Sequence, residues 1–124
     1  MKKIDIQRLA DFLSVNYPEI QIAYLFGSSK DGVIAVDSDV DVAIYLEEGT
    51  SPFSQLNIAA ALEDELESPV DVVVLNKANP VLAHEVLRNG FRLFARDEIF
   101  RAQMELRIFR EYLDNFYYLK RRYG

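Results

Sequence analysis

Residues 27–41 decide the fold, and they read Gly-Ser-Ser-Lys-Asp-Gly-Val-Ile-Ala-Val-Asp-Ser-Asp-Val-Asp. The apolar run Ile20–Phe26 leads into the glycine and serine, and a second apolar run, Val40–Leu46, overlaps the closing aspartates. This order predicts a strand, a tight turn, a connection and a second strand. Because side chains alternate faces along a strand, we expect Asp39 and Asp41 on the same face, about 7 Å apart.

The two aspartates and the turn before them predict a nucleotide site. Carboxylates on one face repel each other unless a cation lies between them, and a divalent metal is the expected cation. Gly27 lacks a Cβ, so the backbone can turn sharply there and a ligand can come close. Ser28 is expected where a short helix begins, and free N–H groups at a helix start attract phosphate oxygens. Together these features predict a nucleoside triphosphate bound with magnesium.

A third acid, Asp71, interrupts the apolar run Val70–Leu75, which is expected to form a strand. If this strand lies next to the strand that carries Asp41, the two carboxylates approach at roughly 5 Å across the ladder. The alternative is an acid at the edge of the sheet that faces solvent. The flanking valines favour a buried strand instead.

The order Gly-Ser, ten residues and Asp-X-Asp, with a third acid on a later strand, resembles the signature of the DNA polymerase beta-like nucleotidyltransferase superfamily. The resemblance implies the nucleotidyltransferase palm fold, ATP as a substrate and two Mg²⁺ ions. It implies that Asp39 and Asp41 hold both ions, and that Asp71 holds one and helps to deprotonate the acceptor. Lys30 is a further nucleotide-binding candidate, for which a solvated surface lysine is the alternative.

Periodicity and capping signals predict four helices and four strands in the order α, β, β, α, β, α, β, α. The helices are expected over residues 4–16, 51–67, 79–89 and 97–122, and the strands over 20–26, 40–46, 70–75 and 91–95. Ser51 and Pro52 give the second helix an N-cap and a first-turn proline, and its buried face is expected to carry Leu56, Ala59, Leu62 and Leu66. Asn79 and Asp97 are the expected N-caps of the third and fourth helices. The fold class is α/β (α+β), a mixed sheet with flanking helices and a long C-terminal helix.

The last helix is rich in aromatic and aliphatic side chains. One stripe is expected to pack into the core, and it consists of Phe109, Tyr112, Leu113, Phe116 and Leu119. A second hypothesis is a partner or dimer contact, because a small domain does not normally hide so many aromatics as Tyr112, Phe116, Tyr117, Tyr118 and Tyr123. His84 is the one histidine, and no acid-base partner can be identified near it, so a structural role is expected.

Composition limits the functional classes. The chain of 124 residues is expected to form one domain over 1–124 and has no cysteine, which excludes disulfides and thiolate metal sites. No apolar run approaches 18 residues and no hydrophobic segment follows the first lysines, so a cytoplasmic location is expected. The net charge is −6; two divalent cations would bring it to about −2, which suits ATP but not a polynucleotide. No membrane contact or direct nucleic-acid binding is therefore expected.

The length of the chain indicates which subgroup of the superfamily it resembles. Larger members of the superfamily carry extra domains that bind the acceptor, whereas here one helix follows the palm. Over about residues 4–110 the chain resembles the minimal nucleotidyltransferases of the MntA type, with Val-Asp-Val-Val-Val-Leu followed by Asn-Pro and Asn-Gly-Phe. That resemblance implies the antitoxin of a HEPN/MNT module, which transfers AMP from ATP onto a tyrosine of a HEPN ribonuclease toxin. Two alternatives stay open: a small-molecule nucleotidyltransferase of the aminoglycoside type, and an antitoxin that acts by binding alone.

Overall fold

The computed structural model describes residues 2–27, 33–34 and 39–123. Its strands are β1 (Lys2–Lys3), β2 (Ile20–Phe26), β3 (Val33–Ile34), β4 (Val40–Leu46), β5 (Val70–Val74) and β6 (Phe91–Ala95). Its helices are α1 (Ile6–Asn16), α2 (Ser54–Leu66), α3 (Pro80–Asn89) and α4 (Glu98–Tyr123). The four predicted strands and four predicted helices are all present, in the predicted order.

A four-stranded sheet forms the centre of the molecule, with the strand order β5-β4-β2-β6. Strand β2 is antiparallel to both of its neighbours, whereas β4 and β5 run parallel, so the sheet is mixed. This architecture confirms the predicted fold class. Strands β1 and β3 form a separate antiparallel pair that the sequence did not predict, because two-residue strands carry no usable periodicity.

Helices cover both faces of the sheet. On one face α1 and α2 pack against it through a core that includes Leu13, Leu25, Val42, Ile58 and Leu62. On the other face α3 and α4 pack against it through a second core that includes Ile22, Ala43, Val86, Met104 and Ile108. The two central strands are therefore buried from both sides, which explains their almost continuous apolar sequence. In the part of the chain that is described, no helix is both long enough and apolar enough to cross a membrane.

Side-chain caps fix the starts of three helices. Asp5 caps α1 by accepting a hydrogen bond from the Arg8 N–H, so this helix begins two residues later than predicted. Asn79 accepts from the Leu82 N–H at the start of α3, and Asp97 accepts from the Ile99 N–H beside α4. The caps predicted at Asn79 and Asp97 are confirmed.

The predicted start of α2 is wrong. The helix begins at Ser54, because Ser51 uses its Oγ to accept a hydrogen bond from the Phe53 N–H and so closes a turn rather than capping a helix. Its buried side chains include Ile58 and Leu62, four residues apart on one face. Leu56 was predicted on that face but is 68% exposed, since it points away from the row that contacts the sheet.

The predicted core stripe of α4 is also wrong in part. Among the side chains of this helix that the structure describes, Met104 and Ile108 are the buried ones, because they form the row that contacts the sheet. The side chain of Leu119, also predicted in the stripe, lies outside the described part. Phe109 and Phe116 are 45% and 50% exposed, and Tyr112 is half-buried. Tyr112 stacks its ring on the His84 ring of α3 at 3.8 Å and 5°, which gives His84 the structural contact expected of it.

Candidate active site

The strand register brings two of the three predicted acids together. Asp41, near the start of β4, is paired with Phe26 of β2 on one side and with Asp71 of β5 on the other. Residues paired directly in a ladder project to the same face of the sheet, so Asp41 and Asp71 are neighbours on one face. Strand β5 is an edge strand and Asp71 is exposed, as the solvent-facing alternative expects, yet its register still places it beside Asp41.

The negative charges of Asp71 and Asp39 both act on the carboxyl group of Asp41. The pKa of Asp41 is raised above its ordinary value, first because partial burial removes water and then because the charges of Asp71 and Asp39 lie nearby. Asp39 lies immediately before β4 and is exposed. This local accumulation of negative charge is the electrostatic condition that favours a bound cation.

Gly27 leaves the space that the carboxylate of Asp41 occupies. Its φ of +73° is in the left-handed region, and a Cβ at this position would lie 2.2 Å from Asp41 Oδ2. Any other side chain would displace the carboxylate or the turn. The sequence predicted this glycine for the approach of a phosphate; the structure adds that it makes room for a carboxylate of the candidate site.

Helix α3 approaches the same end of the sheet. A Cβ on Gly90 would lie 2.5 Å from the Val86 carbonyl oxygen and 3.3 Å from the Leu25 carbonyl oxygen, so the glycine permits α3 to end against β2. A cavity of about 250 Å³ lies there, lined by Phe26, Gly27, Glu85 and Asn89. Glu85 and Asn89, which hydrogen-bond to each other, were not predicted as site residues, because nothing in a helical pattern shows which strand its end will approach.

Size alone does not identify the site. A larger cavity of about 670 Å³ lies at the opposite end of β4, where its lining includes Tyr45, Asn76, Arg107 and Glu111. The Arg107 guanidinium donates to the Tyr45 hydroxyl across 2.6 Å. None of the three predicted acids is among the residues that line either cavity, but Gly27 lines the smaller one and lies against the Asp41 carboxylate, so we take the end of the strand that carries the acids as the candidate site.

The acids fit magnesium by their chemistry. Carboxylate oxygens are the hard donors that Mg²⁺ prefers, and Mg²⁺ commonly uses one or two carboxylates together with phosphates and water. Among residues 2–27, 33–34 and 39–123, which include all three acids, no group of three or more acidic, histidine or cysteine side chains is arranged to hold a metal ion. The paired Asp41 and Asp71 thus supply two carboxylates, and phosphate and water oxygens would have to complete a magnesium site. The predicted nucleotide-binding residues Ser28 and Lys30 lie outside the described residues.

The sequence matches the profile of the family described as "Polymerase beta, Nucleotidyltransferase" over residues 7–99, which is more than half of the chain. With the mixed sheet and the acidic strand end already described, the chain belongs to this nucleotidyltransferase family. It is also 31% identical over 103 residues to the protein adenylyltransferase MntA of Shewanella oneidensis strain MR-1, a match that covers 81% of this chain and 74% of the relative.

Solved structures show the same fold. A toxin–antitoxin complex crystallised with AMP-PNP contains a chain that is 25% identical with a TM-score of 0.81, and the match covers 94% of each chain. A complex of a tri-AMPylated Shewanella oneidensis HEPN toxin with its MNT antitoxin contains another, 24% identical with a TM-score of 0.71 over 92% of each chain. The second likeness bears on the fold alone.

Proposed function

We propose that this chain is the antitoxin of a HEPN/MNT toxin–antitoxin module and a Mg²⁺-dependent adenylyltransferase that moves AMP from ATP onto a tyrosine of its HEPN toxin. The observation that carries the proposal is the pairing of Asp41 with Asp71 across two strands, beside the glycine that accommodates the Asp41 carboxylate. The identity to a protein named as a protein adenylyltransferase supports the reaction, and the toxin–antitoxin structure with AMP-PNP supports the nucleotide.

The three acids would differ in the metal ions that they bind. Asp39 and Asp41 would hold two Mg²⁺ ions, and Asp71 would share one of them. Bound magnesium supplies charge neutralisation at the phosphates and lowers the pKa of the attacking hydroxyl. Gly27 leaves room for the Asp41 carboxylate, so this oxygen donor is in place before the substrate arrives.

In the reaction, the tyrosine oxygen forms a bond to the α-phosphorus of ATP. The bond from that phosphorus to the bridging oxygen breaks, and pyrophosphate leaves with the electron pair. Asp71 takes the tyrosine proton, because it lies beside Asp41 and is itself exposed. Its place on an edge strand leaves it open to a side chain presented by another protein, which favours a macromolecular acceptor.

The experiment compares two labels on ATP. The purified chain is incubated with magnesium, its co-expressed toxin and ATP labelled at either the α- or the γ-phosphate. We expect label on the toxin from α-labelled ATP only, located on a tyrosine by mass spectrometry. In a parallel reaction with an aminoglycoside added, label on the aminoglycoside but not on the toxin would support the small-molecule alternative. A tight complex that never acquires label would overturn the catalytic proposal and favour inhibition by contact.

A matched pair of variants ties the result to the site. Replacing Asp39 and Asp41 by alanine should remove the label, whereas replacing Glu63 and Asp64 on α2 by alanine should not. Both double variants lose two negative charges, and the α2 pair is exposed and lies outside the candidate site. Equal labelling by both would place the chemistry elsewhere.

A further inference from the structure

The cavity beside Gly27 contains polar side chains that have no role in the proposed reaction. Its walls are Phe26 and Gly27 from the end of β2, and Glu85 and Asn89 from the last turns of α3. Glu85 and Asn89 are exposed, and one oxygen of the Glu85 carboxylate accepts a hydrogen bond from the Asn89 amide. A carboxylate has two oxygens and about four acceptor positions. Glu85 can therefore accept further hydrogen bonds from a ligand in the cavity.

The strand register places this cavity next to the acids of the candidate site. Phe26, Asp41 and Asp71 are paired in one row across β2, β4 and β5, so they project to the same face of the sheet. Helix α3 packs on that face, where Phe26 contacts the core that includes Val86. The row therefore begins at the cavity, continues with Asp41 and ends with the exposed Asp71 at the edge of the sheet.

Two parts of ATP are joined directly to the α-phosphate, and charge distinguishes between them. In the proposed function, on which this inference rests, the α-phosphate lies beside Asp41. The pyrophosphate is negatively charged, and the Glu85 carboxylate would repel it. The ribose is neutral, and its 2′ and 3′ hydroxyls are donors that suit a carboxylate acceptor. The cavity therefore fits the sugar and disfavours the phosphates.

The size and lining of the cavity also suit a sugar. Its volume of about 250 Å³ corresponds to roughly eight molecules of liquid water at about 30 Å³ each, which is enough for a ribose with its hydroxyls. Phe26 supplies an apolar wall, and Glu85 and Asn89 supply polar groups on the opposite element. Ligand sites commonly combine apolar walls with a few polar groups that fix orientation.

We propose that Glu85 accepts hydrogen bonds from the ribose hydroxyls of ATP and makes the chain selective for nucleotides that carry them. Asn89 orients the Glu85 carboxylate through the hydrogen bond between the two side chains. Hydrogen bonds to a charged acceptor are roughly twice as strong as those between neutral groups. A nucleotide without these hydroxyls therefore binds more weakly, although its phosphates are unchanged.

The first test measures nucleotide affinity without any transfer. Isothermal titration calorimetry of the purified chain with magnesium compares ATP with 2′,3′-dideoxyATP, which lacks both hydroxyls. We expect the wild type to bind ATP at least about tenfold more tightly, the smallest loss typical of a hydrogen bond to a charged group. Glu85→Ala should bind both nucleotides with equal affinity, because only ATP loses a contact.

Two further variants separate sugar recognition from a structural effect. Glu85→Gln keeps an acceptor oxygen without the charge, so it should retain an intermediate preference for ATP. Glu63→Ala removes one negative charge from an exposed position of α2, outside the candidate site, and should keep the wild-type preference. Far-UV circular dichroism and thermal unfolding should show that all three variants fold, since Glu85 and Glu63 are both exposed.

The possible outcomes distinguish the ribose contact from the proposed function. Equal affinity of the wild type for the two nucleotides, or a preference for ATP that survives Glu85→Ala, would overturn the ribose contact and leave adenylyl transfer standing. A wild-type chain that binds neither nucleotide would overturn both. A preference that depends on Glu85, in a chain that never labels its toxin, would support the ribose contact and contradict the transfer.

Discussion

The two ends of strand β4 carry different kinds of polar groups: a hydrogen-bonded amide side chain at one end and carboxylates at the other. At its C-terminal end the Asn76 side chain receives a hydrogen bond from the Leu46 N–H at 2.9 Å and donates one to the Leu46 carbonyl at 2.8 Å. The Glu47 N–H also donates to the Glu19 carbonyl at 2.8 Å. At its N-terminal end lie Asp39 and Asp41, where burial and then the charges of Asp71 and Asp39 raise the pKa of Asp41. The hydrogen bonds at the C-terminal end stabilise the fold. The negative charges at the N-terminal end repel each other, and a bound cation would reduce that repulsion.

Two glycines sharpen this contrast. Gly27 and Gly49 have similar backbone angles, with φ of +73° and +86°. A Cβ on Gly27 would strike the Asp41 carboxylate, whereas a Cβ on Gly49 would meet nothing within 4 Å. The positive φ of Gly49 therefore serves only the local backbone turn. Gly27 has the same kind of backbone conformation and, in addition, leaves room for the Asp41 carboxylate of the candidate site.

The largest expected effect comes from removing the acids. Asp39→Ala combined with Asp41→Ala should lower the rate of adenylyl transfer on the order of 1000-fold, because charged groups prearranged in a site contribute about that much. Thermal unfolding should show a fold that is intact, since the substitution removes repulsion. Full activity in this variant, measured as labelled toxin per minute, would exclude the proposed site.

The glycine pair gives the next largest effect. Gly27→Ala should lower the transfer rate about 100-fold, since displacing a catalytic group by about 1 Å can cost that much. Gly49→Ala should leave the rate unchanged. Both variants should lose about 1–2 kcal/mol of stability, because alanine at a positive φ is strained. Equal rates in the two variants would show that the contact with Asp41 has no catalytic importance.

The opposite end of β4 should show the reverse pattern. Asn76→Ala removes both hydrogen bonds to Leu46 and should lower the free energy of unfolding by about 1–2 kcal/mol. The transfer rate should stay within about twofold of the wild type at a temperature where both are folded. Urea denaturation and the labelling assay together check this, and a large loss of activity without loss of stability would contradict the division between the two ends.

A smaller effect concerns pH. Because the pKa of Asp41 is raised in the folded state, the fold favours its protonated form; the stabilisation is fully present below the ordinary pKa of 3.8 and is lost as the pH rises through the folded-state pKa. Ionised Asp41 therefore destabilises the fold at pH 7 in the absence of metal. Asp41→Asn should be more stable than the wild type at pH 7, and the gap should close near pH 3. Urea denaturation of both proteins with chelator at several pH values measures this gap, and a gap that does not change with pH would contradict the explanation.

Local patterns predicted most of this fold. The four strands of the sheet were predicted to within one residue, because β-branched residues and flanking turn signals define them. The caps at Asn79 and Asp97 also read directly from the sequence. The start of α2 did not, because the Ser51 hydroxyl has two local hydrogen-bonding options and the closing of a turn prevailed.

Some features of the candidate site can likewise be predicted from the local sequence, whereas others depend on long-range packing. Asp39 and Asp41 are two residues apart in the sequence, although Asp39 lies just before β4, so their proximity can be predicted locally. The position of Asp71 beside Asp41 depends on the parallel register of β4 and β5, which is set by long-range packing. The approach of Glu85 and Asn89 to Gly27 depends on where α3 ends, and no local signal predicts it.

The central claim is that acids from two strands surround the same cations. The most direct measurement is anomalous diffraction from crystals of this chain grown with Mn²⁺ and a non-hydrolysable ATP analogue, with Mn²⁺ replacing magnesium. The account predicts anomalous peaks within coordination distance of carboxylate oxygens from Asp39, Asp41 and Asp71, next to the phosphates. Peaks that leave out Asp71, or manganese bound at the Asn76 end of β4, would contradict it.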